Sequence, residues 1–231
     1  MQTERMALVA GWRDTRSALA SWSRTPGRVI GAWASVSFVI GVALLVATWL
    51  VAHYLAPAPE WIVWSFNGPR SVEAALHIFG RNALVLVMHG FICVAGYMAT
   101  TSLPIVAEGY SGVHRRLHLA ARPVTIAFVV IVTMGSFGLQ AWTLGGAAPG
   151  IALAYGVSTS ELLVLVSPHA LLELTAVFLP LGAWLVLARR GRFDQLLAAS
   201  IYATALALPV LAIASVVEEY VTPALIHSFA P

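Results

Sequence analysis

The sequence predicts an all-α fold, a polytopic membrane bundle of about five transmembrane helices. Three observations carry that expectation. Apolar residues make up 59% of the chain and charged residues only 10%, where a soluble domain carries roughly 25% charged residues. Five stretches stay apolar over the length of about 20 residues that a helix needs to cross about 30 Å of hydrocarbon. Arginines gather in alternate intervals between those stretches. A chain so poor in charge cannot cover a water-facing surface, which excludes a soluble globular domain, a disordered chain and a nucleic-acid-binding protein. All 13 basic residues are arginine, so lysine-based covalent chemistry is excluded. The single cysteine, Cys93, excludes an internal disulfide and a Cys-rich zinc site.

Residues 1–28 hold Met6, Leu8, Val9, Trp12, Leu19 and Trp22 among arginines. That pattern fits a cytoplasmic amphipathic helix on the inner leaflet, with a loosely ordered tail as the alternative. Residues 29–231 read as one transmembrane helical domain. The first span, 29–55, is too long and starts too late for a signal peptide and lacks an A-x-A site, so it reads as a retained anchor. Residues 56–71 contain Pro57, Pro59, Trp61, Trp64 and Phe66, the composition of a loop that skims the outer interface. The second and third spans are expected at 76–106 and 123–146. Residues 147–167 are interrupted by Pro149, Gly150 and Gly156, and Ser158-Thr159-Ser160-Glu161 offers a capped helix start. Beyond that start, two arrangements fit the residues. A short re-entrant helix over 161–166 turns at Ser167-Pro168 before the fourth span, 168–188, or one long helix is kinked at Pro168. The fifth span is expected at 196–222. The apolar runs are too continuous for the period-2 alternation of barrel strands.

The arginines set the expected orientation. Arg5, Arg13, Arg16, Arg24, Arg28, Arg115, Arg116, Arg122, Arg189, Arg190 and Arg192 fall on one side of the five spans, and only Arg70 and Arg81 on the other. Positive-inside bias then places the N-terminus in the cytoplasm of a multi-pass cell-membrane protein.

Polar groups in hydrocarbon are costly, so they need partners and often mark a site. Asn82, His89, His169, Glu173, Glu218 and Glu219 fall within the spans. His169 and Glu173 share a helix face one turn apart, and Asn82 and His89 share another. At 1.5 Å per residue, Asn82 and Glu173 each lie roughly 8 Å below the outer boundary, with Glu218 at a similar level and His89 roughly 20 Å deep. Histidines and carboxylates are the ligand types of a catalytic zinc site that keeps a position open for water. On that reading His169, Glu173, His89 and Glu218 are the metal-ligand candidates. Glu173, Glu218 and Asn82 are the catalytic candidates, a spare carboxylate serving as general base. Glu219 lies about 100° around the helix from Glu218 and is not expected at the same metal. No H-E-x-x-H or G-x-S-x-G occurs, and Pro223 occupies the place of the arginine in an E-E-x-x-x-R pattern. The structural alternative is a hydrogen-bond network, with His169 capping its helix, Asn82 clasping a neighbour, and Glu218 and Glu219 paired with Arg70 or Arg81. His114 and His118, among Arg115, Arg116 and Arg122, fit an anionic headgroup patch, and Cys93 reads as packing.

Three segments together resemble the stage II sporulation protein M family of membrane proteins. The first is Phe79-Gly80-Arg81-Asn82. The second, Ser167-Pro168-His169-Ala170-Leu171-Leu172-Glu173-Leu174, is similar to that family's P-H-G-x-x-E-L, with Ala170 in place of glycine. The third, Val217-Glu218-Glu219-Tyr220-Val221-Thr222-Pro223, is similar to its I-E-A-F-I-T-P, with Glu219 in place of a small residue. The resemblance covers residues 74–223 and singles out Asn82, His169, Glu173 and Glu218. It implies either a membrane component of a peptidoglycan-remodelling complex, in which partners carry the enzymatic work, or a protein encoded with circular bacteriocins and linked to leader removal, head-to-tail closure or export.

The expectation for function is a membrane-embedded, metal-dependent peptidase or peptide cyclase, with zinc as cofactor and a hydrophobic peptide or membrane-protein partner. The alternative is a non-catalytic scaffold or transport-linked subunit. A proton-coupled transporter is disfavoured because no inverted repeat is evident. Oligomeric state is left open.

Overall fold

A computed structural model of the chain describes residues 2–54 and 70–229. The aromatic loop expected at 56–71 lies outside the described residues, apart from Arg70 and Ser71. The described residues are 92% helical and include no strand. Among them, five helices are long and apolar enough to cross a membrane: Pro26–Tyr54, Val72–Ala107, Gly112–Tyr155, Thr159–Val177 and Phe193–Phe229. Large apolar side chains such as Ile131, Met134, Leu139 and Trp142 stand exposed on them. A solvent-facing helix would not tolerate such a surface, whereas acyl chains would cover it.

Helix α1 is Gln2–Trp22 and α2 is Pro26–Tyr54. Helix α3, Val72–Tyr97, starts on a cap in which the Ala74 N–H donates to Ser71 Oγ at 3.0 Å. It widens into a π turn over Met98–Ser102 and finishes as α4, Leu103–Ala107. Helix α5, Gly112–Tyr155, is longer than the expected 123–146, because neither Pro123 nor Pro149 stops it. Gly156 ends it with a φ of +69°, a left-handed position that favours glycine. The Gly156 N–H donates to the Leu153 carbonyl, and the Val157 N–H to the Ala152 carbonyl, which closes a Schellman motif.

The next segment decides between the two arrangements at Pro168. Helix α6, Thr159–Val177, starts on the expected capping box. The Ser158 N–H donates to Glu161 Oε2 at 2.8 Å and the Glu161 N–H to Ser158 Oγ at 3.2 Å. The helix then runs on through Pro168, so no re-entrant turn forms there. Proline removes the N–H that would serve the Val164 carbonyl, and the Ser167 hydroxyl replaces it at 2.8 Å. The break comes instead at Phe178, one residue before α7, Leu179–Arg189. Pro180 sits in the first turn of α7, where a missing N–H costs nothing. A short 3₁₀ turn, Phe193–Gln195, leads into α8, Leu196–Val216. A second π turn over Val217–Val221 precedes α9, Thr222–Phe229. Both π turns end two residues before a proline, Pro104 and Pro223. A proline ring clashes with the carbonyl four residues back in a regular helix, and widening the turn moves that carbonyl aside.

The chain divides into two compact units. The first comprises Met1–Ser37, Val85–Val132 and Phe178–Ala207. Within it, α1 buries Thr15, Ala18 and Trp22 and exposes Val9 and Trp12. The Trp22 ring meets Trp33 edge-on at 5.0 Å and Tyr202 at 5.9 Å. The carbonyls around the helix break are served by side chains of the same unit. Ser37 Oγ donates to Phe178 O at 3.0 Å and Cys93 Sγ to Pro180 O at 3.2 Å. Cys93 therefore does more than pack: its thiol adds a contact to a carbonyl in the first turn of α7.

The second unit comprises Phe38–Leu84, Thr133–Val177 and Leu208–Pro231. Ala148, Ala152, Leu162 and Ile226 form its buried core, with Tyr155, Val157 and Val166 packed around them. That core joins the end of α5, the start of α6 and α9. Among the described residues, eleven arginines belong to the first unit and two to the second, whereas five of the nine acidic residues belong to the second.

Candidate functional site

Five of the six polar residues expected within the membrane fall in the second unit: Asn82, His169, Glu173, Glu218 and Glu219. His89 falls in the first. There its Nδ1–H donates to its own helix at Val85 O, 2.8 Å away, and its ring stands edge-on to Phe178 at 5.1 Å. These contacts give His89 a packing role within its unit.

The centre of the second unit's site is a pair of acids. The carboxyl groups of Glu173 and Glu218 interact as hydrogen-bonding neighbours, Asn82 lies at Glu173, and the Arg81 guanidinium acts electrostatically on Glu173. Arg81 and Glu219 also act electrostatically on Glu218. Both acids of the pair are partly buried, Asn82 is buried, and Arg81 is exposed. The Asn82 amide nitrogen, Nδ2, closes no hydrogen bond of good geometry despite its burial, an uncommon state for such a donor. A hydrogen bond between two carboxyl groups requires a proton on one of them.

Local structure explains how these groups converge. Glu173 follows His169 by one turn of α6. Gly41 holds α6 close to α2, since a Cβ there would stand 3.1 Å from Leu174 Cβ. Glu218 and Glu219 ride on the π turn, which separates their roles. Glu219 Oε1 accepts the Ser71 N–H at 2.9 Å and so caps the start of α3 from another helix. It thus joins two helices of the unit. Neither acid forms an ion pair with Arg70 among the described residues.

His169 does not cap its helix. It is buried well inside α6, and its Nδ1 lies 2.8 Å from Thr222 Oγ1. Thr222 was not among the expected site residues. One signal for it lay in the sequence: it follows Glu218 by four positions, the spacing of neighbours on a helix face. Among the described residues, no group of three or more His, Cys, Asp and Glu side chains stands close enough together to hold a metal ion. The four expected ligands, His169, Glu173, His89 and Glu218, are thus divided between units, and the pair Glu173 and Glu218 is the part brought together.

In comparisons with known proteins, no protein-family model, no curated protein and no solved structure matches this chain.

Proposed function

We propose that this protein is a membrane-embedded peptide-processing protein in which Glu173 and Glu218 perform acid–base chemistry on a hydrophobic peptide. The observation that carries the reading is the adjacency of these two carboxyl groups, from different helices, beside a buried Asn82 amide that closes no well-formed bond through Nδ2. Two carboxyl groups sharing one proton divide the labour of amide chemistry. The ionised member takes a proton from the nucleophile as the new bond to the carbonyl carbon forms. The protonated member gives its proton to the departing nitrogen as the C–N bond breaks. Asn82 Nδ2–H donates to the carbonyl oxygen as charge develops there. With water as nucleophile the product is a cleaved peptide, and with the peptide's own terminal amine it is a ring. The resemblance to the stage II sporulation protein M family, whose relatives include proteins encoded with circular bacteriocins, supports a hydrophobic precursor as substrate. The arginine distribution supports a multi-pass cell-membrane protein with its N-terminus in the cytoplasm.

Two further readings have observations behind them. Zinc held by His169 and the two carboxylates is the metal-dependent form of the same reaction, supported by the adjacency of two oxygen ligands. A non-catalytic scaffold of a membrane complex is supported by the clasps Glu219–Ser71 and His169–Thr222, which join helices without needing chemistry.

The test uses the full chain in proteoliposomes, supplied with hydrophobic peptides and followed by mass spectrometry. A cyclic product is lighter than its linear precursor by the segment released with the departing nitrogen. Glu173→Gln or Glu218→Gln is expected to lower conversion by about 10²–10⁴-fold while the protein stays folded. Unchanged conversion in both variants overturns the acid–base reading. One zinc per chain, lost in His169→Ala along with activity, selects the metal-dependent form. A stable co-purifying partner with no conversion by wild-type protein selects the scaffold.

A further inference from the structure

The π turn that carries Glu218 also brings one hydroxyl between two polar atoms. Thr222 Oγ1 lies 2.8 Å from His169 Nδ1 and 3.2 Å from the Val217 carbonyl oxygen. Both residues are buried, at 6% and 8% exposure, so water does not substitute for either contact. In a regular helix the Val217 carbonyl would accept from the N–H four residues on. Here it accepts from the Thr222 N–H five residues on, which places the threonine side chain over the same oxygen.

Proton bookkeeping then leaves one arrangement that satisfies both contacts. A hydroxyl has one proton to give, and a carbonyl oxygen can only accept. If Thr222 Oγ1–H donates to Val217, its oxygen must accept from His169 Nδ1–H. The reverse arrangement, in which the hydroxyl donates to Nδ1, leaves oxygen lone pairs facing each other at the Val217 contact.

We infer that Thr222 is a positioning residue that holds His169 as the neutral Nδ1–H tautomer, leaving the lone pair on Nε2. His169 stands one turn before Glu173 on the same helix. The tautomer does not rest on the proposed peptide chemistry.

The experiment reads the ring directly in full-length protein labelled with ¹⁵N-histidine in lipid nanodiscs, with the His169 signals assigned by their loss in His169→Gln. The expected spectrum shows a directly bonded proton on Nδ1 and a bare Nε2. Thr222→Ser keeps that pattern, because serine retains the hydroxyl. Thr222→Val, of the same shape without the donor, converts the ring to the Nε2–H tautomer or to an exchanging mixture. A wild-type ring protonated on Nε2 overturns the inference, as does a Thr222→Val spectrum identical to wild type. If Thr222→Val does not fold, the wild-type and Thr222→Ser spectra decide alone. No substrate is present in this measurement. A failed peptide-processing assay beside the expected spectrum therefore refutes the enzyme reading and leaves the tautomer standing.

Discussion

Gly182→Ala tests the packing at the break between α6 and α7. A Cβ at Gly182 would overlap Ser37 Oγ and would lie 2.6 Å from the Trp33 carbonyl oxygen and 3.3 Å from the Ser37 nitrogen. Two of those three atoms are backbone, so no change of rotamer relieves the contact and α2 must move away from α7. Overpacking of this kind costs about 1–3 kcal/mol. The displaced atom, Ser37 Oγ, also donates to Phe178 O, and losing that bond adds about 0.5–1.5 kcal/mol. Replacing glycine by alanine in a helix returns about 1 kcal/mol. The expected net loss is about 1–3 kcal/mol, or roughly 3–10 °C in apparent Tm for a chain of this size. Thermal unfolding in detergent, followed by tryptophan fluorescence, measures it. Gly135→Ala is the control, since nothing lies within 4 Å of a Cβ built there, and it should match or slightly exceed wild type. In the double variant Ser37→Ala/Gly182→Ala one of the three clashing atoms is gone, so the losses should combine to less than their sum. A Gly182→Ala protein that melts at or above wild type would refute this account of the break.

Two other predictions concern the first unit. Cys93 is fully buried against Pro180, so a membrane-permeant maleimide should leave it unmodified in native membranes and label it after denaturation in SDS; labelling of the native protein would contradict the packing. Removing its donor in Cys93→Val should cost about 0.5–1.5 kcal/mol through the lost contact to the Pro180 carbonyl, with Cys93→Ser costing less. Trp22 anchors α1 on Trp33 and Tyr202, and Trp22→Ala should cost about 3–5 kcal/mol of that docking. The readout is tryptic cleavage at Arg13 and Arg16, which should accelerate in the variant; equal rates would show that α1 is held by something else.

Much of the helical plan was legible because hydropathy and capping are local. The five spans come from apolar run length, and the Ser158–Glu161 capping box from four consecutive residues. Prolines misled the reading of boundaries. Pro123 looks like a helix start and Pro149 like an interruption, and at Pro168 the residues fit a long helix as well as a turn; the helices continue through all three. At Pro168 the compensating group is the neighbouring Ser167, which a rule about proline alone does not weigh. The break at Phe178 was missed because the side chains that serve its carbonyls, Ser37 and Cys93, are remote in sequence. At the candidate site, spacing paired His169 with Glu173, and depth brought Glu218 to their level. The π turn was invisible to a count based on 3.6 residues per turn. With it went the approach of Thr222 to His169. Depth had already set His89 apart, roughly 20 Å down against roughly 8 Å for Asn82 and Glu173, but it says nothing about which neighbours a ring packs against.

The π turn at Val217–Val221 has a consequence for how this chain tolerates insertions and deletions. A π turn stores one surplus residue within an otherwise regular coil. Removing any one residue between Glu219 and Val221 would let the backbone close to ordinary pitch without losing its helical hydrogen bonds. Because only the surplus residue is lost, everything beyond keeps its facing, and Thr222 becomes the fourth residue after Val217 with its N–H still on that carbonyl. A single-codon deletion here would regularise the coil and keep Thr222 beside His169, whereas the same deletion in a regular stretch would turn the rest of the rod by about 100°.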